Sequence, residues 1–334
     1  MPTLAQQYIQ FTGPIFLGTV FNWCLLGTLF SQLYTYVLTY PEDTRHLKFL
    51  VGGLSVLEVL QTVLTTHHAW EMLVAGWGDT SFDRFLPWSA ATFPIMTGLI
   101  ALIVQVFFAW RIWVLRISTN YTRLAKVMSV LIATIAVIQA AAAFYGGVSF
   151  GMVRSWEHVA ELTWIVEIWL SGSLACDILI AATMITILIE ASRDSPWNHT
   201  AAMINKLIVH AIETGAVTAI TALVDLIFFE LYKDTSLHQA PALLLGKLYT
   251  NALMVSLNGR QRRRDSIEFL REQSALSNIR TITSHTGDYE LTLRSGTPSR
   301  LGRSKSKEAI VVHMPIDDSD RSSLSKIRPL DSPV

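Results

Sequence analysis

The sequence predicts an all-α fold, an integral membrane bundle of seven transmembrane helices with a disordered tail behind it. Three observations carry this. Of 334 residues, 51% are hydrophobic and only 16% charged, where soluble domains average about a quarter charged. Residues 1–258 hold seven apolar runs, each near the ~20 residues that cross ~30 Å of hydrocarbon. Charge is also segregated. Residues 1–258 carry 12 Lys+Arg and 16 Asp+Glu, and residues 259–334 carry 14 and 10. The formal net charge of zero is thus a balance of two unlike halves.

The runs fall at 14–39, 49–70, 90–114, 127–146, 162–189, 207–230 and 240–257. Pro14 is expected to open the first, where a missing N–H costs nothing. Pro41 follows it. Ala140 to Ala143 with Gly146 and Gly147 in the fourth allow close helix approach. The fifth is long enough to tilt. Short connections make consecutive helices antiparallel. Cys24 and Cys176 both lie inside apolar runs, so no exterior disulfide is expected. Residues 1–12 lack Lys and Arg, and no cleavable signal peptide is read there.

Lys and Arg in the connections set orientation. The odd loops and the start of the tail carry 12, and the other side carries 3. The expectation is an N-terminus outside and a cytosolic C-terminus, in the plasma membrane rather than an internal one. Trp70, Trp77, Trp88, Trp156 and Trp164 would then line the outer interface, and Trp110, Trp113 and Trp197 the inner one. The sequons at Asn120 and Asn198 would face the cytosol.

The domain boundary falls at 258/259. Residues 259–334 hold 18 Ser+Thr among 14 Lys+Arg and read as a mostly disordered tail. Residues 262–276 fit a short amphipathic helix on the inner leaflet. Arg260, Arg262, Arg263 and Arg264 suit anionic lipid headgroups. Ser304 and Ser306 sit among basic residues, where a kinase could add phosphate and loosen such contacts.

Polar residues inside the runs are the informative ones. An ionisable group at mid-membrane costs about 2.5–3.5 kcal/mol on insertion scales and usually faces the bundle interior. Glu58, Gln61, Asp177, His210, Glu213, Asp225, Lys247 and Asn251 form this set. Glu58, Glu213 and Lys247 lie about 10–15 Å above the cytosolic face by helical rise. Asp225 lies nearer the outer one. The expected pair is Glu213–Lys247, completed by Glu58 or Asp177. Read functionally, the set lines a ligand or proton cavity among helices two, five, six and seven. Read structurally, it fixes helix register. Gln105, Arg111 and Arg116 mark the cytosolic end of helix three. Arg111 and Arg116 serve as positive-inside anchors or as a surface for a cytosolic signalling partner. His67, His68, Glu71 and His158 are adjacent without a metal-ligand pattern. A lysine midway along the seventh helix is also where a retinal Schiff base would sit, but Ile212 to Leu226 holds no aromatic residue.

No Gly-rich phosphate loop, zinc spacing or nucleophile elbow appears. The chain is therefore read as not an enzyme, with no cofactor and no metal. A basic tail behind a membrane domain points to lipid, not nucleic acid.

Several stretches occur in order: Gly13-Pro14 with Gly18, Leu33-Tyr34-Thr35-Tyr36, and Leu60 to His67 (LQTVLTTH). They continue with Gln105 to Trp113 (QVFFAWRIW), Glu213-Thr214-Gly215, Val224-Asp225-Leu226, Lys247 to Asn251 (KLYTN) and Ser256 to Arg260 (SLNGR). Through them the first 260 residues resemble a domain-of-unknown-function family of seven-helix membrane proteins from mushroom-forming (basidiomycete) fungi. The resemblance implies seven helices and an exterior N-terminus. It differs from rhodopsin-like receptors, since helix three ends Ala109-Trp110-Arg111-Ile112-Trp113 and helix seven reads Asn251-Ala252-Leu253-Met254-Val255. The functional expectation is a receptor-like sensor of a small or lipidic ligand. The alternatives are a proton-coupled transporter using the same carboxyls, and a structural scaffold.

Overall fold

The computed structural model describes residues 4–76, 87–115, 122–153, 163–193, 198–232 and 235–259. Side chains are described for these except at 4–8, 153, 191–193, 198–211 and 214. Among the described residues there is no strand. Seven α-helices run in order: α1 (Leu4–Thr39), α2 (Arg45–Trp70), α3 (Trp88–Leu115), α4 (Thr122–Val153), α5 (Thr163–Arg193), α6 (Asn198–Leu231) and α7 (Gln239–Gly259). A π-helical turn, Glu71–Ala75, extends α2. Among the described residues, six of the seven, all but α6, are long and apolar enough to cross a membrane.

Every expected apolar run is a helix, and most extend past the run by a turn or more. Backbone groups near a bilayer surface still need partners, so the helix continues beyond the hydrocarbon-length core. Pro14 is a correction. It lies inside α1, ten residues after the start, because the helix begins in the more polar stretch before the apolar run. Pro94 likewise lies inside α3.

Residues at the helix ends show which ends lie together. Tyr40, just past α1, donates to Asn258 O near the end of α7 at 3.1 Å. His67 near the end of α2 stacks at 5.0 Å on Trp88, which opens α3. Phe229 near the end of α6 meets His238, just before α7, at 5.3 Å. The bundle therefore has one end where α1, α3, α5 and α7 begin and an opposite end where they finish. Trp70, Trp88 and Trp164 are exposed at the first end, and Trp110 and Trp113 at the second. Aromatic residues favour these two levels in a membrane. Trp77, Trp156 and Trp197 lie outside the described residues.

The outer surface is apolar. Phe16, Phe21, Phe49, Val63 and Phe144 all point outward, as lipid-facing residues do when the surrounding solvent is hydrocarbon. α7 is the reverse case. It has the lowest mean hydropathy of the six and the most buried span, 72% against 28–50% in the others. Leu245, Leu253, Met254 and Leu257 of α7 pack with Leu29 of α1, Leu54 of α2 and Ile100 and Val104 of α3. A helix too polar for lipid is enclosed by α1, α2, α3, α5 and α6.

α3 and α4 approach most closely through small residues. A Cβ on Gly98 would stand 2.6 Å from Ala143 Cβ, and one on Gly147 would stand 2.7 Å from the Ala91 carbonyl oxygen. Backbone cannot yield there as a side chain can. Gly147→Val should therefore lower the thermal unfolding midpoint in detergent, by the ~1–3 kcal/mol typical of overpacking. Gly52→Ala in α2 meets nothing within 4 Å and should leave the midpoint equal or slightly raised, since Ala favours a helix over Gly by about 1 kcal/mol.

Candidate functional site: a buried polar layer between two cavities

In hydrocarbon no water can satisfy a polar group, so each must find a partner in the protein. The middle of the bundle meets this demand through two networks. The first centres on Lys247 of α7, which is fully buried. Its ammonium donates to the Glu58 carboxylate of α2, to Glu58 O at 3.0 Å and to Gln61 Oε1 at 3.1 Å. An ammonium has three donors, and all are used. Thr250 donates to the other carboxylate oxygen of Glu58. Gln61 passes its amide N–H to Thr97 Oγ1 of α3 at 2.9 Å. Gly246 makes this possible, since a Cβ there would come within 2.8 Å of Gln61 Oε1. Asn251 closes the network onto α1. It accepts from Thr28 at 3.0 Å and donates to Lys247 O at 2.7 Å.

The expected pair Glu213–Lys247 is therefore corrected. The partner of Lys247 is Glu58, and Glu213 is exposed. Helical rise placed both carboxyls at the same depth, but depth says nothing about which helix faces which. The side chain of His210 lies outside the described residues.

The second network centres on Asp177 of α5. Tyr249 of α7 donates to it at 2.8 Å and Gln105 of α3 at 3.2 Å, and Thr218 of α6 also bonds it. Gln139 of α4 donates to Gln105, and Ser173 lies 2.7 Å from Tyr249 Oη. Together the two networks tie all seven helices. The sequence marks Thr250 as one of the polar residues of the seventh helix, but not the roles of Tyr249, Thr97 and Gln139. A tyrosine or threonine in an apolar run reads equally as interface or filler. Gln139, among alanines, was the one signal that could have been followed.

A cavity of about 70 Å³ lies beside Asp177, toward the end where α7 finishes. Val104, Met184, Thr218, Tyr249 and Arg111 are among its walls. Arg111 is half-buried and donates to Ser256 of α7, so it braces α3 against α7. Arg116, Arg260, Arg262, Arg263, Arg264, Ser304 and Ser306 lie outside the described residues, as does the expected helix at 262–276.

A second cavity, of about 90 Å³, lies toward the other end, among α2, α3, α4, α5, α6 and α7. Asp225 enters it from α6, six residues before that helix ends. Asp225 is fully buried, and neither carboxylate oxygen has a hydrogen-bond partner. His238 Nδ1 stands 3.8 Å from it, beyond hydrogen-bond reach. Burial pushes the His238 imidazole down to about 4. His67 and Glu71 lie 3.8 Å apart near the same end. His158 lies outside the described residues. Among the described residues no group of three or more His, Cys, Asp or Glu could hold a metal ion.

These features define a multi-pass helical membrane protein with a polar interior and a cavity on each side of it. The family model described as a family of unknown function (DUF6534) matches residues 173–262. That segment carries Asp177, Asp225, Lys247, Tyr249 and Asn251. No curated protein and no solved structure matches the chain.

Two expectations follow. Lys247→Met strands a buried carboxylate, and losing one partner of such a pair costs about 3–5 kcal/mol. The thermal midpoint in detergent should fall sharply, and Glu58→Leu combined with Lys247→Met should restore most of it. The second concerns pH. A histidine held at about 4 in the fold and near 6.5 when unfolded favours folding in its neutral form. Its contribution is complete above about pH 6.5 and is lost as pH falls toward 4. Melting curves across that range should flatten in His238→Asn.

Proposed function

We propose that the protein is a receptor-like membrane sensor that acts by binding rather than by catalysis. In this reading it is one of the seven-helix membrane proteins of mushroom-forming fungi. All seven helices span the plasma membrane, with the N-terminus outside and the basic tail in the cytosol. The asymmetry of 12 Lys+Arg against 3 supports that orientation. A small ligand enters the cavity beside Asp225, which then faces outward, and the cavity beside Asp177 and Arg111 faces the cytosol.

The observation that carries this reading is the sealed layer between the two cavities. Lys247 has every donor occupied, and Asp177 is held by three helices. Such a layer can transmit a repacking from one cavity to the other when a ligand prefers one packing. Glu58, Gln61, Lys247 and Asn251 then keep helix register, and neither Glu58 nor Lys247 lines either cavity. In the cytosol, Arg111 and Arg116 form the surface that a signalling partner reads, and Arg260 to Arg264 hold anionic headgroups.

One observation favours transport instead. Asp225 is a buried carboxyl without a hydrogen-bond partner, as a proton-loading site would be. The two readings separate in proteoliposomes loaded with a pH-sensitive dye. Under sensing, an imposed pH gradient decays at the rate of empty vesicles, with or without Asp225→Asn. A faster decay that Asp225→Asn removes would replace sensing with proton-coupled transport.

A further inference from the structure

We infer that the cavity beside Asp225 binds a small alkylammonium head, of the trimethylammonium kind found in choline. This deepens the sensing reading and rests on it for which ligand is sensed. Asp225 contributes a carboxyl with both oxygens free of hydrogen bonds, at 0% exposure. No lysine or arginine is among the residues that line the cavity. A carboxylate buried in an apolar wall is costly unless a cation joins it.

Four phenylalanine and tryptophan side chains stand in the remaining wall, beside aliphatic residues such as Leu170 and Leu243 and the polar His68 and Gln239. Phe93 and Trp169 meet edge-to-face at 6.2 Å, and Phe229 meets His238 edge-to-face at 5.3 Å. Phe150 also lines the cavity. Aromatic faces attract cations, tryptophan most of all, and aromatic cages select quaternary ammonium groups. A trimethylammonium head has no N–H to donate. It therefore needs charge and π-faces rather than hydrogen-bond acceptors, which Asp225 and the four phenylalanine and tryptophan side chains supply. The volume, about 90 Å³, is smaller than the ~150 Å³ cavity that admits benzene. It leaves no room for a long chain. The head has two sources, free choline-like solutes and the headgroup of phosphatidylcholine.

The test uses the full chain in nanodiscs of phosphatidylglycerol, whose headgroup has no nitrogen. Choline chloride is titrated against sodium chloride at matched ionic strength, with the thermal midpoint as readout. The neutral isostere 3,3-dimethylbutan-1-ol is titrated in parallel. The expected result is a saturable rise with choline and none with the alcohol. Asp225→Asn and Trp169→Leu should each weaken the apparent affinity by about tenfold or more. Equal binding of choline and the alcohol would overturn the inference, and this comparison needs only the wild-type chain if a variant fails to fold. A folded Asp225→Asn that binds choline as well as wild type would also overturn it. Phosphatidylcholine nanodiscs separate the sources. A midpoint already raised there, and deaf to added choline, supports the lipid headgroup; a full response to choline in both supports the free solute. No choline response in phosphatidylglycerol and equal midpoints in the two lipids would overturn both. Spin labels at Val114 and Ile189, both exposed near the opposite end of the bundle, read the sensing step separately. Choline that binds without changing their distance keeps this inference and overturns the sensing reading.

Discussion

The structure depends on one ion pair that lipid cannot solvate. Lys247 and Glu58 are both fully buried, and either charge alone in hydrocarbon would be strongly unfavourable. Together, with Gln61, Thr250 and the Glu58 carbonyl filling the remaining positions, they form a closed set. That set can form only when α2 and α7 meet at one register. A slip of one residue along α7 would carry the ammonium about 100° around the helix and leave both charges stranded. Van der Waals contact between apolar helices has no comparable discrimination, because lipid tails compete on nearly equal terms.

The burial of α7 follows from the same constraint. A helix carrying Lys247, Thr250 and Asn251 cannot face lipid on those sides, so the others gather around it. Away from α7 the helices also pack by shape. Gly98 and Gly147 bring α3 and α4 together at backbone distance, and Gln139 of α4 adds a hydrogen bond to Gln105 of α3. The bundle thus combines a polar, register-specific centre with a tightly packed, apolar flank.

Against that background Asp225 is the exception. Asp177, at a similar level of burial, has donors from three helices. Asp225 has none, although His238 stands nearby. A fold that satisfies its other deep charges so fully, yet leaves this carboxyl open toward an aromatic cavity, keeps the electrostatic cost at one place. Such places are where binding has something to gain, since a ligand that neutralises the charge recovers that cost.

The sequence by itself determined the seven helices, their approximate limits and the set of polar residues that lie inside them. Helix length against bilayer thickness and the rarity of charge in apolar runs suffice for that. A close helix approach at α4 was also legible, because Gly146, Gly147 and the neighbouring alanines leave no bulk to hold helices apart, but that α3 is the partner at Gly147 was not. The tertiary structure decided the partners. Glu58 and Glu213 share a depth and a chemistry, and only the arrangement of helices around α7 turned one toward Lys247 and left the other exposed. It also decided that Tyr249 and Gln105 hold Asp177, while Asp225 shares a cavity with phenylalanines and a tryptophan from three other helices. Helical rise is a local property that the chain carries residue by residue. Which faces meet depends on contacts between residues far apart in sequence, such as the 189 positions between Glu58 and Lys247, and no local pattern encodes them.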